Sequence, residues 1–252
     1  MADSNGSAAK YVYGVVRADG ASAPKAKGIN DEPVALVRAD GLAALTSDVP
    51  GEFLEAGRDE LMTHSHVLES ALESGTVLPM RFGVVMPDDE SVRGELLAPH
   101  RERLEAQLDE MDGKVEINVK GIYEEAAILQ EVLAENREAA QLRESIRGQP
   151  EDATYYERIR LGELISQGLD LKRAEDERGI VDRLLAHSVA VEVGGAVHER
   201  MAVNASFLVE QKRLEDFDRA VDALGQEQAG RIRLRYTGPL PPHSFVELTM
   251  EA

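Results

Sequence analysis

Cysteine is absent from the 252-residue sequence, which excludes disulfide bonds, thiolate metal ligands and cysteine nucleophiles. No apolar run approaches the roughly 20 residues that a membrane-spanning helix requires, so we expect no membrane-spanning segment. The first residues are small and polar, without the basic and apolar regions of a signal peptide. We therefore expect residues 1–9 to form a disordered tail on a cytoplasmic protein.

The motifs of common catalytic sites are also absent. The sequence has no Walker A loop, no Gly-x-Gly-x-x-Gly, no Gly-x-Ser-x-Gly and no His-Glu-x-x-His. On the helix predicted around them, His64 and His66 lie about 200° apart and cannot chelate one ion. The acids Asp88, Asp89 and Glu90 are typical of a helix N-terminus rather than a cation site. We predict a protein with no enzymatic activity, no cofactor and no metal.

The charge balance is strongly acidic. Asp and Glu number 47 against 28 Lys and Arg, which gives a formal net charge of −19. A surface of this sign repels phosphate groups, so we expect binding neither to nucleic acid nor to a membrane. The hydrophobic fraction of 43% and the charged fraction of 30% are those of a globular protein with a packed core.

The first half of the sequence alternates between strand and helix patterns. The pair Asp40-Gly41 lies between two apolar runs and predicts a hairpin. Asp88 is a favourable helix N-cap, and Pro99 predicts a break in the helix that follows. The predicted elements are strands at 11–16, 34–39 and 42–47, a helix at 58–74 with Leu61, Ser65, Leu68 and Leu72 on one face, a strand at 77–86, a helical stretch at 88–111 and a strand at 115–120.

This order is close to the ferredoxin-like split βαβ plan, which we assign to an N-terminal domain at residues 10–123. Residues 124–252 are predicted to form a second domain of helices and a small antiparallel sheet, so the fold class is α+β. The predicted elements of that domain are a helix at 124–147, a helix from a capping box at 154–157 to about 187, strands at 189–193 and 201–207, a helix at 214–224, a strand at 232–236 and a closing strand at 246–250.

Three arginines, Arg231, Arg233 and Arg235, alternate with apolar residues near the end of the sequence. The alternation predicts that they share one face of a strand and point away from the core. Two interpretations remain open. In one, the arginines pair with neighbouring acidic side chains on a solvated face. In the other, they contact an acidic surface of a partner protein.

The segment at 238–246 contains three prolines within four residues, Pro239, Pro241 and Pro242. Because proline fixes φ and lacks a backbone donor, the segment is predicted to form a stiff corner outside any central strand. We expect Phe245 to be buried and to hold the end of this corner in apolar surface.

Five segments resemble the F/L-type gas vesicle accessory proteins. They are Tyr11-Val12-Tyr13-Gly14-Val15, His66-Val67-Leu68-Glu69, Val77-Leu78-Pro79-Met80-Arg81-Phe82-Gly83, Asn204-Ala205-Ser206-Phe207-Leu208-Val209 and Gly238-Pro239-Leu240-Pro241-Pro242-His243-Ser244-Phe245-Val246. In this family the last segment usually has Trp where Leu240 stands and Tyr where His243 stands. The motif residues with a structural role in this resemblance are Arg81, Phe82, Gly238, Pro239, Pro241, Pro242 and Phe245.

The resemblance implies a two-domain α+β protein with a ferredoxin-like N-terminal domain. It also implies a role in gas vesicle assembly, through binding the small hydrophobic shell protein and other accessory proteins during nucleation, in the cytoplasm and at the gas vesicle. The alternative is an enzyme or small-ligand-binding protein on a ferredoxin-like fold, since that fold hosts many chemistries. A nucleic-acid-binding module of the same fold is disfavoured by the net charge.

Overall fold

A computed structural model describes residues 8–50 and 57–246 of the chain. These residues form helices and antiparallel sheets, which confirms the predicted α+β class. They divide into two compact units: the first contains the residues up to Glu116 and from Pro239 onward, and the second is Ile117–Gly238. The predicted division was a single boundary at residue 123. In the structure the first stretch ends at Glu116, and the segment from Pro239 onward also belongs to the first unit.

The first unit is built on an antiparallel sheet with β1 at its centre. The sheet order is β2-β3-β1-β4, and β5 also pairs with β1. The strands are β1 (Ala9–Arg17), β2 (Ala35–Ala39), β3 (Leu42–Val49), β4 (Leu78–Pro79) and β5 (Val85–Met86). The helices are α1 (Arg58–Leu72), α2 (Asp89–Ser91), which continues as a π-helical turn at Val92–Leu97, and α3 (Arg101–Met111).

The hairpin between β2 and β3 is confirmed. Ala39 pairs with Leu42 across the turn. Asp40 and Gly41 both have positive φ, at 47° and 84°. Two successive positive φ values match the twist of the flanking strands, which is why an Asp-Gly pair marks such turns.

Helix α1 forms where predicted but buries a different face. Its buried residues are His64, Val67, Leu68 and Ala71, whereas Leu61 is 46% exposed. The buried residues keep the three- and four-residue spacing of a helix face, but this face is displaced by about one residue from the predicted one. Two apolar faces are available on this helix, and packing against the sheet selects the one that carries His64.

Residues 77–86 do not form the single predicted strand. β4 and β5 are two residues each, and Gly83 between them has a φ of 91°. The intervening backbone remains bonded to β1, because the Val12 amide donates to the Val84 carbonyl at 2.9 Å and the Met80 amide donates to the Tyr13 carbonyl at 2.8 Å. The positive φ of the glycine turns the chain out of strand geometry.

The predicted N-cap at Asp88 is confirmed, since its Oδ1 accepts the Ser91 amide at 2.8 Å. The helical path that follows is interrupted before α3, as the proline at position 99 predicts.

The second unit contains most of a four-stranded sheet and four helices. The strands are β6 (Lys114–Tyr123), β7 (Ala190–Val193), β8 (Met201–Glu210) and β9 (Ile232–Leu240), and the helices are α4 (Glu125–Glu135), α5 (Arg137–Ser145), α6 (Tyr155–Leu185) and α7 (Leu214–Glu227). The sheet order is β7-β8-β6-β9. The strand predicted to complete the ferredoxin-like plan, β6, therefore pairs in this second sheet and not with β1.

Two local predictions in the second unit are wrong. The helix expected at 124–147 is two helices, because the Asn136 backbone is extended and its side chain accepts the Ala139 amide at 3.0 Å to begin α5. The capping box at 154–157 does not form. Instead, the Thr154 hydroxyl donates to the Pro150 carbonyl and accepts from the Arg158 Nε, both at 3.0 Å.

Strand β9 runs four residues beyond the predicted end at 236, through Gly238 and Pro239 to Leu240. An edge strand accommodates proline because the missing backbone donor can face away from the ladder, and β9 lies at one edge of its sheet. The strand predicted at 246–250 falls almost entirely outside the described residues.

Candidate functional site

The proline-rich corner is held by hydrogen bonds to a buried carboxylate. Pro241 and Pro242 are buried, as is Glu116. The Glu116 carboxylate accepts both the backbone amide and the hydroxyl of Ser244, each at 2.8 Å. Phe245 is half-buried, so the expectation that it is buried is met only in part. A carboxylate that accepts two hydrogen bonds from one residue fixes the position of the corner.

Of the remaining motif residues, Gly238 and Pro239 lie in β9, and Phe82 lies at a buried aromatic cluster in the first unit. Arg81 is exposed, whereas Phe82 is half-buried and packs beside Tyr11 and His64, with ring centroids 5.9 and 5.7 Å apart. The Tyr11 hydroxyl is 2.9 Å from His64 Nδ1 and accepts the Gly83 amide at 3.1 Å. The resemblance motif therefore contributes to packing around β1.

His64 has the environment of a neutral core histidine. It is 4% exposed, and burial lowers the pKa of His64 to about 4. His66 is exposed on the opposite side of the helix. Within residues 8–50 and 57–246, no group of three or more potential ligands is placed to hold a metal ion.

Arg231 differs from the other two arginines because it lies in a network of acids. Its guanidinium makes a bidentate pair with Glu131, at 2.7 and 2.9 Å. A second bidentate pair joins it to Asp176, with both distances 2.8 Å. The Tyr123 hydroxyl donates to the same Asp176 carboxylate at 2.6 Å, and its ring lies under the guanidinium. This cluster connects α4, α6, β6 and the start of β9.

Arg233 and Arg235 are exposed on β9, as the alternation predicts. The expectation that all three arginines point away from the core fails for Arg231, whose side chain is 24% exposed. The interpretation that the arginines pair with neighbouring acids therefore holds for Arg231. The three arginines do not share one solvated face. The partner-contact hypothesis stays a prediction for Arg233 and Arg235.

An apolar groove lies between α4, α6 and the loop that leads into β8. The cavity volume is about 730 Å³. Ile128 is buried in its wall, and the half-buried side chains of Leu129, Ile165 and Leu169 complete the apolar lining. Charged and polar residues at its mouth are Glu125, His198, Glu199 and Arg200. We call these residues, together with Tyr123, the α4–α6 groove.

The two helices approach each other closely beside this groove. A Cβ placed on Gly168 would lie 2.5 Å from Val132 Cγ1, so only glycine permits the observed packing. The groove combines residues from three separate stretches of sequence. Sequence analysis did not identify it, and the only local signal is the four-residue spacing of Ile165 and Leu169 on a helix with few buried residues.

Exposed apolar residues also occur along α6. Tyr155, Tyr156 and Leu171 are 60%, 81% and 74% exposed. Even so, among the helices of the described parts of the chain, none combines the length and the apolar character needed to cross a membrane.

Comparison with known proteins places these features in a family. Residues 9–247 match the family described as "Gas vesicle synthesis protein GvpL/GvpF". The chain is 41% identical to gas vesicle protein F of a Streptomyces species, over 94% of this chain and 99% of that protein. It is 33% identical to gas vesicle protein L of the same organism, over 96% and 94% of the two chains.

Two crystal structures have the same fold. Gas vesicle protein GvpF from Anabaena sp. PCC7120 superposes with a TM-score of 0.81 at 27% identity, covering 97% of this chain and 100% of that one. GvpF from Microcystis aeruginosa gives a TM-score of 0.78 at 28% identity, covering 96% and 100%. The sequence and fold together establish that this chain belongs to the GvpL/GvpF family of gas vesicle synthesis proteins.

Proposed function

We propose that this gas vesicle accessory protein binds the small hydrophobic shell protein, together with other accessory proteins, during vesicle nucleation. Its place of action is the cytoplasm and the growing vesicle. A shell protein that lines a gas-filled space must expose apolar surface, and such a surface aggregates in water. A partner that covers this surface keeps the free subunit competent for assembly by mass action, without nucleotide hydrolysis.

The observation that carries this proposal is the α4–α6 groove. Its apolar lining and charged mouth are the arrangement in which proteins receive the apolar face of an amphipathic helix. Three of its four apolar lining residues are only half-buried, so the free protein leaves apolar area that a partner can cover. Family membership supports a gas vesicle protein as the partner, since the relatives are named for gas vesicles.

An F-like role is the better-supported one of the two. The chain is more similar to the Streptomyces F protein than to the L protein of the same organism. Two solved structures with the same fold are also F proteins.

Co-expression with the shell protein tests this function. The wild-type chain is expected to raise the soluble fraction of the shell protein and to co-purify with it. Ile165→Asp and Leu169→Asp place a carboxylate in the α4–α6 groove and should abolish both effects. Leu171→Asp is the matched control, because Leu171 lies on the same helix, is 74% exposed and does not line the groove.

Two results would contradict the proposal. If the wild-type chain leaves the shell protein insoluble and recovers none of it, the protein does not bind the shell subunit. If both groove variants retain full binding while remaining folded by circular dichroism, the groove is not the binding site.

A further inference from the structure

The second unit contains an open sheet edge at β7. Within the described residues, the sheet order β7-β8-β6-β9 leaves β7 paired on one side only. Its antiparallel partners on β8 run from Ala190 opposite Leu208 to Val193 opposite Ala205. The other side of the strand therefore presents backbone groups that β8 does not use.

The hydrogen-bond register identifies which backbone groups these are. The Gly194 amide donates to the Asn204 carbonyl at 2.8 Å, so this pair is hydrogen-bonded within the ladder. Bonded and non-bonded pairs alternate in an antiparallel ladder, which makes Glu192 the next residue bonded to β8. The amide and carbonyl groups of Val191 and Val193 consequently face the open edge.

The edge is only four residues long, but it carries few of the side chains that normally prevent strand pairing. Residues 188–197 read Ser-Val-Ala-Val-Glu-Val-Gly-Gly-Ala-Val and contain one charged residue, Glu192. In a sequence that is 30% charged, this stretch has neither lysine nor proline. Val189, Val193 and Val197 are 50%, 46% and 76% exposed. Proteins often protect an exposed edge with lysine or proline, so an edge that has neither favours an added strand.

We propose that the β7 edge binds an extended, uncharged, apolar segment of the shell protein as a fifth strand of this sheet. The inference rests on the proposed function and assigns a second contact to it. Main-chain hydrogen bonds to Val191 and Val193 supply affinity, and the exposed valines select apolar side chains. A second copy of this chain is disfavoured as the occupant, because each copy carries a net charge of −19.

The test uses substitutions at Val193 in the full-length chain. Val193→Pro removes an amide that faces the open edge and leaves the bonds between β7 and β8 in place. Val193→Lys keeps the amide and adds the charge found on protected edges. Val193→Thr is the matched control with high strand propensity. Met62→Lys, at a residue that is 62% exposed on α1, controls for the added charge.

The readout is the affinity for purified shell protein. It is measured by co-sedimentation or surface capture, and light scattering is used to check that the shell protein has not aggregated. The proline and lysine variants at position 193 should bind about tenfold more weakly or worse, and the threonine and Met62→Lys variants should match the wild type. The inference is overturned if wild-type protein binds and both edge variants bind equally well. If the wild type itself does not bind, the proposed function fails, and this inference fails with it.

The oligomeric state of the free chain tests the choice of occupant. A monomer by analytical ultracentrifugation supports the shell protein as the strand donor. Dimerisation that Val193→Lys abolishes would show that the edge pairs with a second copy and would overturn the assignment.

Discussion

The interiors of the two units are held together differently, and their surfaces differ as well. In the first unit, uncharged hydroxyl and imidazole groups such as those of Tyr11, Tyr13 and His64 are bonded inside the core. In the second unit, Arg231 connects helices and sheet through ion pairs. The first unit thus has its polar network sealed within the core, whereas that of the second remains partly in contact with water.

Exposed apolar side chains are concentrated in the second unit. Among the described residues, the large exposed apolar side chains of the first unit are Leu61, Met62 and Val85, and those of the second are Tyr155, Tyr156, Ile159, Leu171, Leu185, Val189, Val193, Val197 and Tyr236. Both candidate contacts, the α4–α6 groove and the β7 edge, belong to the second unit. Both proposals therefore assign partner binding to the second unit.

Among the substitutions considered, the largest expected loss of stability at neutral pH follows from removing the Arg231 guanidinium. Arg231→Gln leaves the carboxylates of Glu131 and Asp176 side by side without a cation. Because the cluster is partly exposed, we expect a loss of about 2 to 3 kcal/mol rather than the upper range for a buried pair. Chemical denaturation measures the loss. Arg233→Gln is the control and should change stability by less than about 0.5 kcal/mol. Equal effects at both positions would refute the distinction between them.

In the first unit, the comparable test of a polar group inside the core is the substitution Tyr13→Phe. The Tyr13 hydroxyl is 2.7 Å from Ser47 Oγ and accepts the Ile29 amide at 2.7 Å. Its removal leaves two buried polar groups without that partner, at a cost of about 2 kcal/mol. Denaturation of this variant should be compared with that of Tyr236→Phe, whose hydroxyl contacts Asp218 at the surface. A negligible loss at Tyr13 would show that the interior network does not stabilise the unit.

A pH-dependent loss of stability is expected from His64 when the pH is lowered. His64 in the unfolded chain has a pKa near 6.5, whereas burial holds the folded pKa at about 4. Between these values the unfolded state binds more protons, so stability is fully present above pH 6.5 and decreases as the pH falls toward 4. The slope from this one group cannot exceed about 1.4 kcal/mol per pH unit. His64→Phe should give a shallower slope in the same window. An unchanged slope would mean that His64 does not titrate in this way.

The smallest effect on stability is expected at Arg233 and Arg235. Replacing both with Gln should leave the melting temperature nearly unchanged, because both side chains are exposed. If they contact an acidic partner, the double variant should bind the other accessory proteins more weakly at low salt, and the difference should shrink as salt is added. Binding that is equal to wild type at every salt concentration would remove these residues from the partner surface.

Local signals in the sequence predicted local structure well. The Asp40-Gly41 hairpin and the Asp88 cap depend on residues within a few positions of each other, and both form as predicted. The same reasoning failed at the capping box of Thr154, where the hydroxyl has a competing acceptor in Pro150. Short-range patterns therefore locate elements but do not decide between alternative partners for one group.

Longer-range arrangements were not accessible from periodicity. The alternation in β6 predicted a strand correctly, but a two-residue period does not specify which sheet receives it. The acids that distinguish Arg231 from Arg233 lie 100 and 55 residues away in sequence. The α4–α6 groove joins residues that range from Tyr123 to Arg200. These features arise from packing between distant segments, which one sequence does not encode in any local pattern.

The most direct test of the account is amide hydrogen exchange on the full-length chain, with and without purified shell protein. We predict that the shell protein slows exchange in α4, in the central part of α6 and at Val191 and Val193, while the sheet of the first unit is unchanged. Protection confined to the first unit, or no protection anywhere, would contradict the claim that the second unit carries the shell-protein binding surface.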